Sequence, residues 1–280
     1  MDYKHRMCFR TDDIQTLQFL DGIGIEYKIS DGSIISYIEI LESKPEWQTV
    51  EAYFKRKRLS TGLVDTIYTK EEMNRAKWFT VRSKWRWEYP QPNSGDNGYI
   101  KNVTYTDSAC PECGNGLVQI GNFRVRKSPK WGQRAFLMLN WIGDVMFLSN
   151  HAKDVLSDSN LGGFHFAEVL NTKGTAVIAD IHQLCVDNVL PQGIVWDNDT
   201  IGRVNRCSVC GIIKYGPTGR GKIYRMSAFE NVDQDIIMSD EVFGWDHLSQ
   251  RDIIVSKHFY EVINENKLNR QLSFEPIQLV

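Results

Sequence analysis

An α+β fold is predicted, in which two strand–helix–strand repeats follow an N-terminal α/β unit. Three observations predict it. Residues 145–166 (VMFLSNHAKDVLSDSNLGGFHF) and 252–277 (DIIVSKHFYEVINENKLNRQLSFEPI) carry the same apolar pattern at an offset of 107. Each stretch trails a matching cysteine pair, CPECG at 110 and CSVCG at 207. The first hundred residues have no such pair and mix alternating strand patterns with amphipathic helix patterns. The boundaries follow: a unit over 1–100 and a second over 101–280, the latter with related halves at about 106–190 and 203–280.

Composition fits this class. The chain has 280 residues, 42% hydrophobic and 24% charged, with eight Trp, thirteen Phe and eleven Tyr. That is enough apolar material for a sizeable core. The formal net charge of -2 gives no basic footprint for nucleic acid. No stretch approaches 18 consecutive apolar residues, so no membrane span is expected, and the N-terminus lacks the apolar core of a secretory signal. Six cysteines in a chain this long do not suggest a disulfide scaffold, and a reducing cytoplasm fits best.

In the N-terminal unit, 20–40 alternates around Asp31-Gly32, a turn signal between strands. Residues 46–58 read as a helix with Trp47, Val50 and Phe54 on one face, and 63–68 as a strand. Thr69 and Glu72 form a capping box, with Tyr68 and Met73 as a staple, opening a helix to about Trp78. The stretch 84–87 (KWRW) reads as a half-buried strand with Trp inside and the cations outside. A boundary is placed near 93–105, after two prolines and NSGDNG.

In the second unit, 117–127, 135–141 and 175–186 read as strands. Ser149 and Ser256 are equivalent helix N-caps, and His151 meets His258, Val155 meets Val262 and Leu161 meets Leu268. One inserted residue then aligns Phe166 with Phe274.

The chemistry rests on Cys110, Cys113, Cys207 and Cys210. In a C-x-x-C-G knuckle two sulfurs grip one metal, and the glycine permits the tight turn that follows. Two knuckles make a closed site of four thiolates, for which one structural Zn2+ is the default and a redox or disulfide role, or iron, the alternative. Cys8 and Cys185 read as buried thiols.

Other motifs are weaker. GPTGRGKI at 216–223 fits a phosphate-loop pattern, but Ile follows the Lys and no helix follows the loop, so it reads as a β-hairpin tip. None of the six histidines forms a spaced ligand pair, and His151 and His258 read as packing residues. No catalytic residue is assigned.

The combination of CPECG, CSVCG, FLSNHAKDVL with GGFHF, and the closing LSFEPIQL resembles bacterial double-CxxCG motif proteins, known from myxobacteria and relatives. The resemblance covers roughly residues 87–280. It implies a non-enzymatic binding protein, in some members an immunity protein that neutralises a polymorphic or contact-dependent toxin, so the implied partner is a cognate protein toxin. Some relatives look like lipoproteins, whereas this chain carries no lipobox-like signal. Two rivals stand beside this reading: a nucleic-acid-binding zinc ribbon using KWRW and GPTGRGK, and an enzyme with an unrecognised site.

Overall fold

The computed structural model describes residues 1–29, 32, 34–92, 103–106 and 108–280. The fold is mixed α+β, dominated by sheets. The chain divides into two compact units: Met1–Arg75 with Thr218–Gly221, and Ala76–Pro217 with Lys222–Val280. The division therefore falls after Arg75, and residues 76–92, expected in the first unit, belong to the second.

The elements of the first unit are β1 (Asp2–Arg10), α1 (Ile14–Gly22), β2 (Lys28–Ile29), β3 (Ile35–Leu41), α2 (Trp47–Lys57), β4 (Ser60–Ile67) and α3 (Lys70–Arg75). Its strands form a four-stranded antiparallel sheet of order β2-β3-β1-β4. Strand periodicity puts Met7, Phe9, Ile38 and Ile40 on one face, where they pack on Leu20, Val50, Tyr53 and Phe54 from α1 and α2. The capping box is present: Thr69 N–H donates to Glu72 Oε2 (2.8 Å) and Glu72 N–H to Thr69 Oγ1 (3.2 Å). That helix ends at Arg75, because Trp78 already begins a strand. Residues 14–22, whose latter part was expected in a strand, form α1, capped by Asp13 accepting from Thr16 N–H. Strands β2 and β3 do pair, with Gly32 in the left-handed region (φ 69°), and Asp31 lies outside the described residues. So does most of the expected boundary at 93–105.

The second unit holds two five-stranded sheets. One is built from β6 (Arg124–Val125), β7 (Phe136–Leu137), β8 (Met146–Leu148), β9 (Phe164–Asn171) and β10 (Val177–Val186), in the order β6-β9-β10-β8-β7. α4 (Asn150–Asp158) joins β8 to β9. The strands of the other are β5 (Trp78–Ser83), β13 (Lys222–Tyr224), β14 (Ile236–Met238), β16 (Ile253–Ser256) and β17 (Leu272–Leu279), with α5 (Lys257–Glu265) joining β16 to β17. Their order is β13-β17-β5-β16-β14. A third, smaller sheet consists of β11 (Ile201–Arg206), β12 (Ile213–Pro217) and β15 (Val242–Phe243), with β12 in the middle.

The two large sheets share one pattern of strand directions. In each, the central strand runs antiparallel to both neighbours, one outer strand is parallel to its neighbour and the other antiparallel. Registers agree as well. Leu184 lies between Met146 and Phe166, and Val81 lies between Ile253 and Phe274. The caps match: Ser149 accepts from Ala152 N–H and Ser256 from Phe259 N–H. One difference stands out. The central strand β10 follows its repeat in the chain, whereas β5 precedes everything else in its sheet.

Several strand expectations shrink or move. Of 117–127 only β6 is regular; Val118 O accepts from Thr106 N–H (2.8 Å) and Ile120 N–H donates to Thr104 O (2.8 Å) without extending into a strand pair. KWRW forms no regular strand, but its sidedness is the expected one: Trp85 and Trp87 are half-buried and pack on the first sheet's core, Lys84 and Arg86 are exposed, and the Arg86 guanidinium donates to Leu139 O (3.3 Å) and Ile142 O (2.8 Å). GPTGRGK is not a hairpin tip, since β12 and β13 belong to different sheets.

Because β5 is central, its removal leaves a sheet with an open middle. Phe79 is fully buried, and Phe79→Ala should cost about 3–5 kcal/mol in denaturant unfolding. A 101–280 fragment, lacking β5, should show no cooperative transition, whereas 76–280 should.

Candidate metal centre

Each knuckle is built by the same local bonds. Cys110 N–H donates to Asn115 O (2.7 Å) and Gly114 N–H to Cys110 O (2.8 Å); Cys207 N–H donates to Ile212 O (2.9 Å) and Gly211 N–H to Cys207 O (3.0 Å). Both glycines are left-handed, Gly114 at φ 71° and Gly211 at φ 74°, which explains the residue type after each second cysteine. At Gly114 a Cβ would also lie 2.3 Å from His247 O.

The structure brings all four cysteines together, with their sulfurs within 4.8 Å of one another. Cys110 Sγ lies 3.7 Å from Cys207 Sγ, and Cys113 Sγ 3.5 Å from Cys210 Sγ. Metal–sulfur bonds of about 2.3 Å in a tetrahedron require sulfur–sulfur edges of about 3.8 Å. The four cysteines are therefore positioned to bind one metal ion. Cys110, Cys113 and Cys207 are buried and Cys210 is exposed, so the site lies at the surface of its unit with one sulfur outward.

The surroundings suit thiolates. Donation from Cys113 N–H is the largest influence on the Cys110 thiol, which is drawn down to about 7. Burial pushes the Cys113 thiol up to about 12, against a bond from Asn115 N–H. Lys214 is 4% exposed, and its ammonium donates to Cys113 O (3.1 Å), Leu248 O (2.9 Å) and Asp246 O. Four thiolates around a divalent ion carry a net charge of about -2, and this buried cation offsets part of it. Ser249 Oγ also donates to Cys113 O (2.7 Å), and Ser208 Oγ bonds Glu112 across the two knuckles (2.6 Å). Nothing in the sequence singled out Lys214, whose only mark is a Lys in the middle of an apolar strand pattern, IIKY.

The other sequence candidates sit elsewhere. Cys8 and Cys185 are only half-buried, and burial raises the Cys185 thiol to about 11. His151 is exposed, and His258 Nδ1 lies 3.5 Å from Asp235. Lys222 of GPTGRGK is buried, 6% exposed, and bonds Asp252, which also accepts from Arg82 (2.5 Å). Burial works against the charged Asp252, yet Lys222 and Arg82 hold its carboxyl below the usual range. This lysine is a structural cation, and no helix follows it to hold a phosphate. No helix among the described residues is long and apolar enough to cross a membrane.

No family model matches this chain, and no curated protein matches it.

Two outcomes follow. Because burial raises the Cys113 thiol, binding as the thiolate should release a proton. Calorimetry in buffers of different ionisation enthalpy should show proton release, and affinity should fall as pH falls. Separately, Lys222→Met removes one of the two cations on buried Asp252 and leaves Arg82, and should cost about 1–3 kcal/mol near neutral pH. The contribution of Asp252, whose folded pKa is depressed, is present above its unfolded value of about 4 and is lost as pH falls through the folded one. The gap between Lys222→Met and the native protein in urea melts should therefore narrow in acid.

Proposed function

We propose that Cys110, Cys113, Cys207 and Cys210 hold one structural Zn2+, and that this ion staples two related strand–helix–strand repeats. The observation that carries this is the sulfur cluster itself. Four protein ligands fill a tetrahedral shell and leave no position for water or substrate. An all-thiolate tetrahedral donor set favours zinc. The matching knuckle bonds and the shared strand directions support a duplicated unit.

On this scaffold the reading is a non-enzymatic binding protein, an immunity protein that neutralises a bacterial toxin by direct binding. The resemblance to double-CxxCG proteins supports it, as do exposed aromatic side chains of the kind that anchor interfaces: Trp141, Trp196 and Trp245 are 48%, 63% and 56% exposed. Against the nucleic-acid reading, Lys222 is buried in an ion pair, the Arg86 guanidinium is committed to two carbonyls, and the net charge is -2.

Metal analysis should give one zinc per chain. Cys110→Ser with Cys207→Ser should bind none and become protease-sensitive in the second unit; unchanged protease resistance rejects the structural role of the metal. Co-expression with a toxic protein encoded beside this one should restore growth and yield a stoichiometric complex. Continued toxicity with no complex rejects the immunity reading and leaves the metal result standing.

A further inference from the structure

The second unit contains a cavity of about 810 Å3 beside the first knuckle. Three loops form it: the segment 114–118 after Cys113, the turn 141–144 after β7, and the segment 247–251 before β16. They are pressed close together. A Cβ on Gly143 would lie 1.8 Å from Gln250 Oε1, so only glycine fits there without displacing Gln250.

The lining is of two kinds. Leu117, Val118, Ile142, Val242 and Leu248 supply apolar walls, and Trp141 stands at the rim, 48% exposed. Trp141 holds a left-handed backbone, φ 68°, a conformation that costs energy for a side chain of this size. Its ring packs at 4.4 Å on Tyr89. Set against these walls are two opposite charges. Asp144 accepts from its own N–H and from the N–H of Arg251, and packing around it holds its carboxyl above the usual range although part of it faces the cavity. The Arg251 guanidinium lies near enough to be felt by Asp144, but it makes no ion pair or hydrogen bond among the described residues.

A chamber with apolar walls on one side, polar His247, Ser249 and Gln250 on another, and an unpaired guanidinium next to a carboxylate is complementary to a ligand that carries both charges and an apolar body. We propose that this cavity binds a small zwitterion with a bulky apolar body, an apolar amino acid or dipeptide, with Arg251 taking its carboxylate and Asp144 its ammonium. The apolar walls take the side chain, and Trp141 covers it. The site is separate from the four thiol ligands and independent of whether the protein neutralises a toxin.

Calorimetry on the full-length protein tests this with L-leucine, L-phenylalanine and L-leucyl-L-leucine against their N-acetyl and amide forms. The zwitterions should bind saturably, and blocking either end should weaken binding about tenfold or more. The comparison of leucine with the dipeptide fixes the ligand length. Arg251→Met and Asp144→Asn should each reproduce the loss for their own end: the amide should then bind Arg251→Met as well as the free acid does. Leu248→Arg, at a rim position 37% exposed, should leave melting unchanged and close the cavity. No binding of any zwitterion at concentrations of about 10 mM, or equal binding of free and blocked forms, overturns the proposal even where a variant fails to fold.

Discussion

Everything in the second unit is organised around one constraint: sulfurs 97 residues apart in the chain must meet within 4.8 Å. Four adjacent thiols do not hold such a cluster on their own. They are small, mutually repulsive once ionised, and mostly buried. A cross-link closing a loop of this length removes roughly 4–5 kcal/mol of unfolded-state entropy. The knuckles are prepared for that link by backbone N–H groups aimed at sulfur and by the Lys214 ammonium held beneath Cys113. The Lys214 ammonium and its carbonyl cradle also tie the 246–249 loop to the first knuckle.

The two large sheets extend the same logic. Their strand directions and registers agree, and so do their helix caps, yet the central strand follows its repeat in one sheet and precedes it in the other. The proposed duplication, with one copy drawing its middle strand from upstream, would account for this pattern. It also accounts for the place where the chain divides. The segment 76–92 looks like the tail of the first unit in sequence, but β5 lies between β16 and β17 and cannot be removed from that sheet.

What the sequence revealed was local. The knuckles, the capping box of Thr69 and Glu72, and the paired strand–helix–strand stretches are short-range signals written in residue type and spacing. All four cysteines of the candidate site were legible for that reason. What it hid was non-local. Nothing near WFTVRS says that its partners lie beyond residue 252. Lys214 and Lys222 look like surface lysines until carbonyls and Asp252 close around them. KWRW does carry its cations outward, but the two carbonyls that the exposed Arg86 also bonds are brought near only by tertiary folding. Helix α1 runs into the alternating pattern at 20–40, which hides its last turn, and its local signal is the single cap Asp13.

The position of β5 has a consequence for how this chain leaves the ribosome. Arg82 emerges 170 residues before Asp252, its ion-pair partner. At about 5–20 residues per second, that is roughly 10–30 seconds in which an apolar strand has neither neighbour available. Until β16 and β17 arrive, Trp78–Ser83 offers two unsatisfied edges to any passing chain. The central position that stabilises the finished sheet thus makes this strand its most vulnerable segment during synthesis, when a nascent-chain chaperone would be most needed.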